Sequence, residues 1–110
     1  MQAEAKHEPG KKFDGGKPPM WLLPGESLAQ VAFVLEHGAV KYGTHNWRGG
    51  MSWSRLLSAC LRHVFAFCRG EDLDPETGIN HLAHACCCLL FLLSYSETGS
   101  GTDDRGGSAQ

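Results

Sequence analysis

The chain has 110 residues, 42% of them hydrophobic, and a formal net charge of −2. That length fits a single domain, and the small negative charge excludes a broad basic field, so no direct DNA binding is expected. The longest apolar run, Ala85 to Leu93, has nine residues, under half of the about 20 that a membrane-spanning helix needs, so no membrane association is expected.

Residues 1–12 are polar and charged and read as a disordered tail, with no secretory leader expected. Phe13 to Pro19, with two glycines and two prolines, reads as an extended arm. Met20-Trp21-Leu22-Leu23-Pro24 follows as an apolar clip that would anchor the arm to the core. A first helix is predicted from Gly25 or Glu26, because Leu28, Val31, Ala32, Leu35 and Ala39 recur at helical spacing. Gly43 ends it, and Thr44 to Met51 is a loop. A second helix starts after the capping residue Ser52, runs through Leu56, Cys60, Val64 and Cys68 to Arg69, and is closed by Gly70. A third takes Asn80 as its cap and runs from His81 to about Tyr95. It is apolar on most sides, so it is expected at the centre. Ser96 to Gln110 is rich in glycine, serine and aspartate and reads as a second disordered tail.

The expectation is an all-α fold, a short bundle of three helices within a domain spanning 13–95. A core of roughly 80–85 residues is marginal alone, so a homo-oligomer is expected to complete the bundle. Cys60, Cys68, Cys86, Cys87 and Cys88 form no Cys-x-x-Cys pair, and three consecutive cysteines on a helix point in different directions. They read as reduced, small apolar residues, which implies the cytoplasm.

The densest chemistry is Glu71-Asp72-Leu73-Asp74-Pro75-Glu76, followed by His81-Leu82-Ala83-His84. Clustered carboxylates repel one another and are stabilised by a cation. Carboxylates with imidazoles suit a divalent metal: Mg2+ or Mn2+ for the hard oxygens, Co2+ or Zn2+ for the nitrogens. The same stretch also reads as a solvated acidic turn at a helix N-terminus, where negative charge is favourable. Arg62-His63 lies on an otherwise apolar helix: Arg62 would meet a phosphate or a neighbouring acid, and His63 would be a ligand or a general base. Lys41-Tyr42-Gly43-Thr44-His45-Asn46-Trp47-Arg48 combines cations, aromatics and an asparagine in a way that suits a nucleotide. Alternatively, Tyr42 and Trp47 seal the edge of the core.

Several separated motifs carry a resemblance. Gly16-Lys17-Pro18-Pro19, Leu22-Leu23-Pro24, Gly38-Ala39-x-Lys41-Tyr42-Gly43-x-x-Asn46-Trp47-Arg48, Arg62-His63, Gly70-Glu71-Asp72-x-Asp74-x-Glu76-x-Gly78 and His81-Leu82-Ala83-His84 occur in this order. Together they resemble the phage and bacterial dATP/dGTP diphosphohydrolases, MazZ-type enzymes related in function to MazG nucleotide pyrophosphohydrolases. The resemblance implies metal-dependent hydrolysis of a purine deoxynucleoside triphosphate to monophosphate and pyrophosphate, in phages that make 2-aminoadenine DNA. The Glu-x-x-Glu and Glu-x-x-Asp pairs of MazG-type enzymes are missing here. The implied metal set is therefore Glu71, Asp74, Glu76 and His84, with His63, Glu71 and Asp74 as catalytic groups. Lys17, Lys41 and Arg62 would neutralise phosphate, and Tyr42, Asn46 and Trp47 would contact base or sugar. The competing classes are a non-catalytic helical oligomerisation module and a triphosphohydrolase that releases inorganic triphosphate.

Overall fold

The computed structural model describes Gly10, Lys11 and residues 13–106. The expected tail at 1–12 therefore lies, except for Gly10 and Lys11, outside the described residues. The fold is all-α. Helix α1 spans Gly25–Tyr42, α2 Trp53–Cys68 and α3 His81–Thr98, with short 3-10 turns at Met20–Leu22 and Asn46–Gly49. The described residues contain no strand, only two isolated bridges. None of the described helices is long and apolar enough to cross a membrane.

Helix α3 is central, with α2 and α1 packed against it. Val31 of α1 meets Ala83 and Cys87 of α3, and Val34, Leu35, Ile79 and Phe91 close around them. Leu56, Cys60 and Ala66 bury the inner face of α2. Small residues at Ala83, Ala85 and Cys87 let the neighbouring helices approach α3 closely. Burial pushes the Cys87 thiol up to about 12 and the Cys88 thiol up to about 11. These cysteines behave as small apolar groups rather than nucleophiles.

The helix ends follow from local chemistry. Glu26 sits in the first turn of α1 and Lys41 in its last, each favourable to the helix dipole. Gly70 adopts φ 97°. It donates to the Phe67 carbonyl, while Glu71 N–H donates to the Ala66 carbonyl. This Schellman ending of α2 sets Glu71 at a fixed exit point. The Asn80 side chain accepts from Leu82 N–H at 2.8 Å and caps α3.

Two expectations are corrected. The segment after Tyr95 is not a disordered tail as far as residue 106. Helix α3 continues to Thr98, and the chain then folds back over the start of α2. Trp53 N–H donates to the Thr102 carbonyl at 3.0 Å, its indole N–H to the Ser100 carbonyl at 3.0 Å, and Ser54 N–H to Asp104 Oδ1 at 2.9 Å. The unpaired donors of the first turn of α2 supply the reason: they need acceptors, and a polar segment provides them. Asp104 thus takes the capping role expected of Ser52. Gly101 is required at this crossing, because a Cβ there would lie 2.3 Å from the Met51 carbonyl oxygen. The Met20 to Leu23 clip, in turn, does not anchor the arm: Met20, Trp21, Leu22 and Leu23 are all exposed.

Candidate metal centre

The loop from Glu71 to Asn80 is a tight structure that aims its acids in different directions. Leu73 bridges Asn80, Asp74 N–H donates to the Ile79 carbonyl, and His81 N–H donates to the Asp72 carbonyl. Asp74 Oδ1 accepts the amides of Glu76 and Thr77 at 2.8 and 3.1 Å. That turn leaves Asp74 Oδ2 facing His63, 3.8 Å from its Nδ1. Glu76 points outward and pairs with Lys41 at 3.0 Å on the surface.

Helices α2 and α3 supply three imidazoles to the same place. His63 Nδ1 lies 2.8 Å from His81 Nδ1. The His63 ring stacks on His84, with centroids 4.6 Å apart and planes within 10°. His84 Nε2 is bonded to Thr77 Oγ1 at 2.7 Å. His81, only 4% exposed, has its Nε2 2.7 Å from Glu71 Oε1. A carboxylate only accepts, so Nε2 carries the proton in this network, and the lone pair of Nδ1 faces His63.

Burial, followed by the neighbouring His84 charge, lowers the affinity of His63 for a proton, despite the opposing pull of Asp74. Burial does the same at His84. The 3.8 Å approach of Asp74 to His63 is therefore not an ion pair at neutral pH. Burial would raise the Asp74 carboxyl. The Thr77 and Glu76 amides, with His84 and His63, outweigh it and hold Asp74 below the ordinary carboxylate value. His63 and His84 are thus neutral imidazoles beside an ionised Asp74.

One ligand atom each from His63, Asp74 and His81 lie within 4.8 Å of one another. Two borderline nitrogens and one hard oxygen fit a divalent transition metal. Three protein donors leave coordination positions open, as in catalytic rather than structural sites. Glu71 stands behind His81, where an outer carboxylate would orient the ring for a metal.

Of the residues expected at the metal, Asp74 falls in this group, as does His63, expected as a ligand or a general base. Glu71 binds the outer nitrogen of His81, Glu76 is turned to Lys41, and the Nε2 of His84 is engaged by Thr77. His81, left out of the expected set, joins this group; its spacing from His84 placed both on one face, and burial distinguishes them. Lys41 is exposed beside the loop, over the Tyr42 ring at 5.3 Å. Lys17, Asn46 and Arg62 are also exposed. Trp47 does not stand free for a base. Its ring stacks on Phe91 with centroids 4.4 Å apart, Arg48 lies over it at 4.8 Å, and its carbonyl accepts from the Tyr95 hydroxyl.

Comparison with known proteins places this geometry in context. A family model described as dATP/dGTP diphosphohydrolase, N-terminal, matches residues 7–105. A dATP/dGTP diphosphohydrolase of Salmonella phage PMBT28 is 42% identical over 100 residues, which is 91% of this chain and 34% of that protein. The chain therefore spans about a third of the length of this curated relative. No solved structure matches.

Proposed function

From its membership of the dATP/dGTP diphosphohydrolase N-terminal family, we propose that the chain hydrolyses a purine deoxynucleoside triphosphate, dATP or dGTP, to the monophosphate and pyrophosphate. Water adds to the phosphorus, the bond between the α and β phosphates breaks, and pyrophosphate leaves with the bridging oxygen. The observation that carries this reading is the convergence of His63, Asp74 and His81.

His63, Asp74 and His81 would hold a divalent cation. When bound, the cation would neutralise triphosphate charge and make a water more acidic. Glu71 fixes the His81 ring and tautomer. The two nitrogens favour Mn2+, Co2+ or Zn2+ over Mg2+, which prefers an all-oxygen shell. Lys41 can exchange Glu76 for a phosphate without loss of a buried contact, since both side chains are exposed. Arg62 and Lys17 add positive charge at the surface. Tyr42, the last residue of α1, and Asn46, in the 3-10 turn after it, are exposed and are the residues assigned to base and sugar.

In a phage setting this reaction would deplete dATP in the host cytoplasm and return dGMP to the deoxynucleotide pool, as 2-aminoadenine DNA synthesis requires. The relative's source, a Salmonella phage, supports that placement. The test is a panel of the four deoxynucleoside triphosphates with Mg2+, Mn2+, Co2+ or Zn2+, with products separated by ion-exchange chromatography. Monophosphate plus pyrophosphate from purine substrates is expected. Asp74→Asn keeps the acceptor for the turn but loses the ligand charge, and should cost at least ~100-fold in kcat. Release of inorganic triphosphate would assign the other hydrolase class. Absence of turnover with every metal would refute the enzymatic reading.

A further inference from the structure

His81 and His84 are three residues apart on α3, yet loop residues of opposite hydrogen-bonding character meet their Nε2 atoms. At His81 the partner is Glu71 Oε1, 2.7 Å away. A carboxylate only accepts, so the His81 proton sits on Nε2 and the Nδ1 lone pair is left for a cation. At His84 the partner is Thr77 Oγ1, also 2.7 Å away, and a hydroxyl can donate.

The loop itself fixes Thr77, which none of the sequence motifs singles out. Its N–H donates to Asp74 Oδ1 at 3.1 Å, and its Oγ1 accepts from Ile79 N–H at 3.2 Å. The hydroxyl has one proton to give. Among the described residues, His84 Nε2 is the acceptor at bonding distance of it. Leaving that proton unpaired in a half-buried position is costly, so it goes to Nε2. The proton of the neutral His84 ring then lies on Nδ1.

We propose that Thr77 is a positioning residue that keeps His84 out of the coordination shell of the metal centre. With Nε2 accepting from Thr77 and Nδ1 protonated, neither nitrogen of His84 has a lone pair to give a cation. The ring instead braces His63, on which it stacks with centroids 4.6 Å apart. The centre thereby stays at three protein donors, His63, Asp74 and His81. A fourth would make the closed set of a structural site, with no position left for water or phosphate. One hydroxyl and one carboxylate thus assign different work to two histidines on the same helix turn. This role of Thr77 rests on the metal-binding reading, whereas the His84 tautomer is measurable with no metal present.

The test has two readouts on the full chain. Long-range 1H–15N correlation NMR of the metal-free protein, at about pH 8 where imidazoles are neutral, shows which ring nitrogen of each histidine carries the proton. His84 should carry it on Nδ1 and His81 on Nε2. In Thr77→Val the His84 signals should shift toward the Nε2–H pattern, while Thr77→Ser, which keeps the hydroxyl, should retain the unmodified one. Visible absorption of the Co2+ complex then reads the coordination shell. The unmodified chain and His84→Phe, which keeps a ring against His63, should give the same spectrum. Thr77→Val should shift the bands as a further nitrogen enters, and combining Thr77→Val with His84→Phe should return them to the unmodified position. His84 protonated on Nε2 in the unmodified chain overturns the proposal, and that result needs no variant to fold. A Co2+ spectrum altered by His84→Phe alone overturns it too, as does one that Thr77→Val leaves unchanged; in both cases the metal centre still stands. Co2+ bands absent from every form overturn the metal centre and the role of Thr77 with it.

Discussion

Replacing Glu71 by glutamine should weaken divalent-cation binding at the histidine cluster by about 10- to 100-fold while leaving the fold in place. Glu71 Oε1 accepts from His81 Nε2 at 2.7 Å, which leaves the Nδ1 lone pair facing His63. Glutamine can accept through its oxygen or donate through its nitrogen. The other His81 tautomer, with its proton turned toward His63, then becomes accessible. The loss in affinity corresponds to about 1.4–2.7 kcal/mol. The share of the pair in folding is smaller. The Glu71 side chain is 54% exposed, against 5% for His81, so solvent screening limits the contribution to about 1 kcal/mol or less. Calorimetric titration with Mn2+ or Co2+, beside thermal melts of the metal-free proteins, separates the two effects. Unchanged cation affinity in Glu71→Gln would refute the argument. So would a loss of affinity that merely follows collapse of the melting midpoint.

Further outcomes follow from the same geometry. Tyr95→Phe removes the hydroxyl that donates to the Trp47 carbonyl from a side chain only 1% exposed; urea titration should show a loss of about 1–3 kcal/mol. His63 and His84 hold protons less tightly when folded than their ordinary value of 6.5. The unfolded chain then binds more protons as pH falls. Stability of the metal-free protein should therefore be full above 6.5 and decline below it, read as denaturation midpoints across about pH 8 to 5. A flat profile would contradict the burial of these rings. Lys41→Ala should leave the melting midpoint unchanged and raise KM roughly tenfold, since a charged contact to phosphate is lost while its pair with Glu76 is exposed. Ending the chain at Gly99 removes the acceptors at Thr102 and Asp104 from the first turn of α2, and should lower the melting midpoint by about 5 °C or more.

Helix positions were legible in the chain because their signals are local. The spacing of Leu28, Val31 and Leu35, the break at Pro24, the capping by Asn80 and the glycines at 43 and 70 act within a turn or two of where they sit. The central place of α3 was legible for a similar reason, since a helix apolar on most sides has to be covered. The segment after Tyr95 was not legible. Its serines, glycines and aspartates describe solvated chain equally well, and only the nearby start of α2 gives Asp104 and the Thr102 carbonyl donors to accept.

The site divides along the same line. Local signals suffice to gather carboxylates and imidazoles between α2 and α3, because Gly70 and Asn80 bring both helix ends to one short loop. Which of them converge depends on how the loop folds and how α2 packs on α3. The Asp74 turn directs one oxygen toward His63 and sends Glu76 to Lys41, while His81 is buried and His84 is claimed by Thr77. Composition specifies the donors available, but a metal is recognised by directions and distances, and these are set by loop hydrogen bonds and helix packing.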